Sequence, residues 1–267
     1  MSMKKRVISA FVIILLIVPI IIKGGYLFRA VAYLLGIYSM KELIDVLSKK
    51  NNIPVLIKIL SLIAIFVFEF LNINYAKDYL IDFRSICLIL LLLLVPLILY
   101  NDNKKYNLDT ALMLCTFVFL IGSGYISITL LRENNVNLFI YILLIPIFTD
   151  TFAYIGGNLI GKHYLCPKIS PKKTWEGFFT GIILTTFSMT LIYLSLFTYS
   201  NNLLLLILII LFLSICSSVG DLFFSIIKRE NNVKDFSNII PGHGGLLDRI
   251  DSILFVYIAY VLIMSFI

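Results

Sequence analysis

Apolar runs separated by short polar segments make up most of this chain; they cover residues 7–22, 26–40, 53–71, 85–100, 108–131, 137–159, 175–199, 203–227 and 247–267. About twenty apolar residues cross the hydrocarbon core of a bilayer as a helix, so each run is read as a span, the second being short. A backbone in lipid must satisfy its own hydrogen bonds, and no ten-residue alternation points to a β-barrel. The expected fold is therefore all-α: a polytopic integral membrane protein with about nine transmembrane helices. The first run ends in Lys23-Gly24-Gly25 with no small-residue cleavage site, and is read as an uncleaved span. Segment 41–52 is helix-compatible and polar, and is placed outside the lipid core with Glu42, Asp45, Lys49 and Lys50. Glu69 and Asp109 lie near span ends, where long side chains can snorkel.

The pattern breaks at residues 217–251, SSVGDLFFSIIKRENNVKDFSNIIPGHGGLLDRID. Here Asp221, Glu230, Asp235, Asp248 and Asp251 mix with Lys228, Arg229, Lys234, His243 and Arg249 around Gly242-His243-Gly244-Gly245. Ionisable groups beside membrane helices are costly and mark function. A second polar stretch, GKHYLCPKISPKKTWEG at 161–177, precedes a helix expected to start at Thr174-Trp175. The chemistry is thus expected after residue 140, dividing the chain into N-terminal helices at 1–136 and a catalytic part at 137–267.

Composition agrees with the pattern: 60% of the 267 residues are hydrophobic and 14% charged. The net charge of +7 is spread over short loops, so it argues topology and not nucleic acid. With the N-terminus in the cytoplasm, 16 Lys and Arg fall on that side and 4 on the other. Both polar stretches then face the cytoplasm, as expected for a multi-pass protein of the cell membrane. The four cysteines stand singly, without zinc or disulfide spacing, and are read as small apolar fillers. No repeat relates the two halves, which weakens a transporter built from inverted repeats.

Asp248 and Asp251 are three apart and share a helix face, while Asp221 lies near the end of the preceding span. Three carboxylates from two helix ends suit a hard cation such as Mg²⁺; the competing reading is an ion cluster with Lys228, Arg229 and Arg249. Asp150 lies mid-span, where a carboxylate usually faces a cavity. Pro146, Gly156 and Gly157 offer a break or bend in that helix. Gly157/Gly161 and Gly177/Gly181 have the spacing of close helix packing. Thr174 can cap its helix, whose first N–H groups attract phosphate, with Lys172 and Lys173 adding charge. The other reading of that loop is attraction to anionic headgroups, with Trp175 as an interfacial anchor.

Ser225-x-Ile227-Lys228-Arg229, then Lys234-Asp235-x-Ser237-x-x-Ile240-Pro241-x-His243-Gly244-Gly245-x-x-Asp248-Arg249-Ile250-Asp251, resembles the signature of the phosphatidate cytidylyltransferase, or CDP-diacylglycerol synthase, family. Ser170-Pro-Lys-Lys-Thr-Trp-Glu-Gly177 and the segment 150–157 are similar to that family too, and the likeness covers about the last 120 residues. The resemblance implies condensation of CTP with phosphatidate to CDP-diacylglycerol and pyrophosphate, with Mg²⁺. It gives Asp221, Asp248 and Asp251 to the metal, and Lys172, Lys173, Lys228, Arg229 and Arg249 to phosphates. Asp150, Thr174 and Lys234 join the substrate set, and His243, Gly244 and Gly245 shape the nucleotide pocket. A second cation such as K⁺ at the metal site is left open, and a homodimer is a family-level expectation. The expected partners are CTP, phosphatidate and membrane lipids, with no nucleic acid. The alternatives are another membrane phosphotransferase and a transporter that uses Asp150 and Asp221 as coupling groups.

Overall fold

The computed structural model describes residues 3–75, 81–100, 106–197, 202–242 and 244–266. His243 therefore lies outside the described residues. Helices α1 (Met3–Lys23), α2 (Gly25–Leu47), α3 (Val55–Tyr75), α4 (Phe83–Leu94), α5 (Pro96–Leu99), α6 (Leu108–Asn134) and α7 (Val136–Ile160) come first. Strands β1 (Tyr164–Cys166) and β2 (Ser170–Thr174) follow, then α8 (Trp175–Leu196), α9 (Leu203–Glu230) and α10 (Leu247–Met264). Among the described residues, α3, α6, α7, α8 and α9 are long and apolar enough to cross a membrane. The chain is a multi-pass, predominantly α-helical membrane protein. Pro96, which has no N–H, divides α4 from α5. The α2 helix carries Arg29, Lys41, Glu42 and Asp45, and α10 opens with Asp248, Arg249 and Asp251.

Two compact units are formed: Met1–Val136 with Glu230–Ile250, and Asn137–Arg229 with Asp251–Ile267. In the first, α2, α3 and α6 pack on one another, and α4 packs on α3 and α6. Met40, Leu43, Ile65, Phe68, Ile89, Leu114, Val118 and Ile121 are among its fully buried side chains. Gly122 lets the Phe68 ring lie against α6, where it meets Phe119 edge-on at 5.4 Å. Polar groups inside this unit are mostly paired: Ser39 Oγ meets the Tyr125 hydroxyl at 2.9 Å, and Arg29 pairs with Glu133. Arg132 donates to the carbonyls of Ile21 and Ile22, closing the last turn of α1. Tyr106, buried, donates to the carbonyl of Leu93 beside the Pro96 break.

Glu69 corrects the sequence reading. It does not snorkel: α3 continues to Tyr75, so the carboxyl is well inside the helix and fully buried, without a hydrogen-bond partner among the described residues. The missing side chain at Gly36 leaves the room it fills.

In the second unit, α7 runs unbroken through Pro146. The GxxxG reading holds there: a Cβ at Gly177 would lie 2.7 Å from the Ala153 carbonyl oxygen, and one at Gly181 3.0 Å from that of Thr149. Only glycine lets α8 approach α7 so closely. Tyr141 donates to the Met189 carbonyl at 3.0 Å, and Tyr257 to that of Phe139 at 2.7 Å. Gly220 lies against Phe255, so α9 and α10 also meet through a glycine. All four cysteines are free.

Candidate active site

The stretch after α7, read from the sequence as a loop, folds as an antiparallel hairpin pairing Tyr164 with Thr174 and Cys166 with Ser170. Pro167 presets the turn, which the Ile169 N–H closes onto the Cys166 carbonyl at 3.0 Å. The strands are short and carry Pro and Lys, so neither alternation nor β-propensity announces them. Their far end is held by the start of α8. The Trp175 N–H donates to the His163 carbonyl, and Glu176 accepts from the Lys162 and His163 N–H groups and pairs with His163 Nδ1 at 2.6 Å. Thr174 is the expected N-cap; its Oγ1 accepts from the Gly177 N–H at 3.1 Å.

Hairpin, α7, the first turn of α8 and α9 enclose a cavity of about 630 Å³, lined by Asp150, Lys162, Lys172, Lys173, Thr174, Ser218 and Asp221 among others. That is the volume of a ligand site. Lys173 Nζ lies 2.5 Å from Asp221 Oδ2, each side chain 28% exposed. Such a half-buried pair is attractive, yet water and a competing anion still reach it. Asp251, buried on α10, is acted on electrostatically by Asp221, Lys228 and Asp150. Arg229, at the end of α9, donates from Nε to the Ile169 carbonyl in the hairpin turn at 3.1 Å. Asp150, Lys172, Lys173, Thr174 and Asp221 are thus brought to one cavity, with Asp251, Lys228 and Arg229 in the same compact unit.

Gly244, Gly245, Asp248, Lys234 and Arg249 belong to the other unit. There the chain doubles back through positive φ at Asn232, Gly242 and Gly244, and the Ile240 N–H reaches the Gly244 carbonyl at 3.0 Å. Asp248 Oδ2 accepts from the N–H groups of Phe236 and Gly245, both at 2.9 Å. Lys234 and Arg249 are exposed. Glu42 was placed by the sequence in a polar segment; it is 2% exposed and accepts from Ser237 Oγ and the N–H groups of Leu246 and Leu247. Among the described residues, no three of His, Cys, Asp and Glu form a ready-made metal cluster. Sequence reasoning missed Glu42 and Glu176. Glu176 lies inside the quoted motif, whereas nothing local singles out Glu42.

The sequence matches the profile of the cytidylyltransferase family over residues 4–267. It is 35% identical over 257 residues to the phosphatidate cytidylyltransferase of Staphylococcus haemolyticus, covering 95% of this chain and 96% of that protein. The enzymes of the same name from Staphylococcus epidermidis and Staphylococcus aureus are 36% and 33% identical, with the same coverage.

Proposed function

The chain belongs to the cytidylyltransferase family, and we propose that it transfers the cytidylyl group of CTP to phosphatidate, giving CDP-diacylglycerol and pyrophosphate. The cavity of the second unit carries this reading, because it sets Lys172, Lys173 and Thr174 beside Asp150 and Asp221. A phosphate oxygen of phosphatidate attacks the α-phosphorus of CTP. That P–O bond forms as the bond to the α–β bridging oxygen breaks, and pyrophosphate leaves with the bridging oxygen. An ionised phosphate is already a nucleophile, so no strong general base is required. The task left to the protein is to bring two anions together and offset the charge they share. Lys172 and Lys173 do this at phosphate oxygens, and Lys173 exchanges its Asp221 partner for one of them. Lys228, Arg229 and Arg249 are proposed for the remaining phosphate charge.

Asp251 feels Asp221 and Asp150, and although no three acids among the described residues form a ready-made cluster, carboxylate oxygens of this kind suit a hard cation. Asp221 and Asp251 would hold Mg²⁺, which when bound supplies Lewis-acid stabilisation of phosphate oxygens. The split of basic residues, 16 against 4, supports a site open to the cytoplasm at the cell membrane. Cysteines placed at 168 and 232 are expected to label from that side only, and labelling from opposite faces would defeat this orientation.

The deciding assay mixes purified protein with CTP labelled in its nucleoside, phosphatidate and Mg²⁺. Label entering lipid with one pyrophosphate released per transfer is the expected result. A protein that moves an anion across proteoliposomes and makes no labelled lipid overturns the proposal.

A further inference from the structure

The Glu42 carboxylate is buried in the first unit and fully engaged there, and the proposed phosphate chemistry does not use it. Its Oε1 accepts from Ser237 Oγ at 2.5 Å and the Leu246 N–H at 3.0 Å, and its Oε2 from the Leu247 N–H at 2.8 Å. A buried carboxylate is costly unless several donors meet it, and three do. The two amides are orphan donors at the start of α10, where a negative charge is also favoured by the helix dipole. Asp248 takes the amide just before them, that of Gly245. The donors of residues 245, 246 and 247 are therefore all committed to protein carboxylates, and this helix start is not a vacant phosphate site.

Gly245 shows that the arrangement depends on close approach. A Cβ there would lie 2.8 Å from both Glu42 oxygens, closer than a side chain tolerates, so any larger residue at 245 would push the carboxylate away from its donors. Glu42 thus holds Ser237 on one side and Leu246 and Leu247 on the other, and the resemblance assigns Gly244 and Gly245, next to the latter, to the nucleotide.

We propose that Glu42 is a positioning residue of the cytidylyl-transfer reaction, fixing Ser237 and residues 244–247 in the arrangement that takes CTP. The inference rests on the function proposed above. It gives the N-terminal helices, otherwise bland in sequence, a part in nucleotide binding. Glu42→Gln keeps size but turns an NH₂ toward a backbone N–H, so donor meets donor at one position.

The test uses full-length protein in detergent with CTP and phosphatidate. Glu42→Gln is expected to raise KM for CTP roughly tenfold, the order expected when a charged hydrogen bond is lost, with KM for phosphatidate unchanged. Amide exchange at Leu246 and Leu247 is expected to quicken. Ser237→Ala, which removes one donor and leaves the helix start held, is expected to act in the same direction by a few-fold. The double variant should lose less than the sum of the two single losses, because the changes share one carboxylate and its contacts. A folded Glu42→Gln protein with wild-type constants for both substrates overturns the proposal. An equal loss for both substrates together with a lower Tm also overturns it, since that is the mark of a merely structural acid. If the wild type itself fails to turn over CTP and phosphatidate, the assigned function falls. Quickened exchange at Leu246 and Leu247 in Glu42→Gln would then still support the grip on the loop.

Discussion

Glu42 and Asp248 in the first unit and Asp221 and Asp251 in the second are the same chemical group in two kinds of company. The first pair accepts backbone N–H groups and a serine hydroxyl. Asp221 instead faces the Lys173 ammonium at 2.5 Å, while Asp251 accepts the Ser252 N–H at 2.8 Å and also feels Asp221, Asp150 and Lys228. Backbone donors cannot leave without unwinding the loop, so the first pair holds shape. A lysine on a flexible stem can move to another anion, so Asp221 with Lys173 is a pair whose partners can exchange.

The strongest way to break this contrast is at Asp221. Asp221→Asn keeps the shape and removes the charge, and turnover is expected to fall by more than the roughly 10–100-fold typical of an outer-shell partner of a metal. Tm should hold, because Lys173 is 28% exposed and can turn to water. Wild-type turnover in a folded variant would remove Asp221 from the reaction. Lys172→Gln and Lys173→Gln come next. Each loses a charge-assisted phosphate contact of about 1.5–3 kcal/mol, which is roughly 10–100-fold in kcat/KM. If the two changes combined leave kcat/KM intact, the hairpin serves only topology.

Parts of this contrast can be read from the sequence. The Thr174 cap and the glycine contacts of α7 with α8 follow from local spacing, and so did the expectation. Glu42 does not, because its partner Ser237 is 195 residues away and no periodicity connects them. Glu69 was misjudged for a similar reason: its burial depends on Gly36, on a different helix. The hairpin escaped because its two ends are fixed by Glu176 and Trp175, outside the strands themselves.

Asp248→Asn sharpens the comparison from the other side. Its Oδ2 accepts two backbone N–H groups, so the variant is expected to lose about 1.5–3 kcal/mol of stability through weakened charge-assisted bonds. Tm should fall by several degrees, since each kcal/mol shifts a chain of this size by about 2–4 °C. The Mg²⁺ titration midpoint should stay put. A shifted midpoint at unchanged Tm would instead make Asp248 a metal ligand, as the signature implies, and would move it to the exchanging class.

The smallest effect is expected at Glu176, which tests whether the second unit also contains a shape-holding acid. Its Oε2 accepts the N–H groups of Lys162 and His163 at 3.1 and 3.2 Å, and its Oε1 lies 2.6 Å from His163 Nδ1. By its partners it belongs with Glu42, although it stands beside the cavity of the exchanging pair. The His163 side chain is 77% exposed, so water competes for this contact and limits what its loss can do. Glu176→Gln still accepts at one oxygen, and a roughly two- to fivefold rise in KM for CTP is expected, with kcat and Tm unchanged. His163→Gln removes the ring contact and leaves both backbone donors in place, so it should do less. The order of these two variants is the informative result. A larger loss in His163→Gln than in Glu176→Gln would mean that the imidazole itself meets substrate and that Glu176 merely orients it. Equal and negligible effects would mean that the Thr174 cap and the Trp175-to-His163 backbone bond hold the hairpin without help from either side chain.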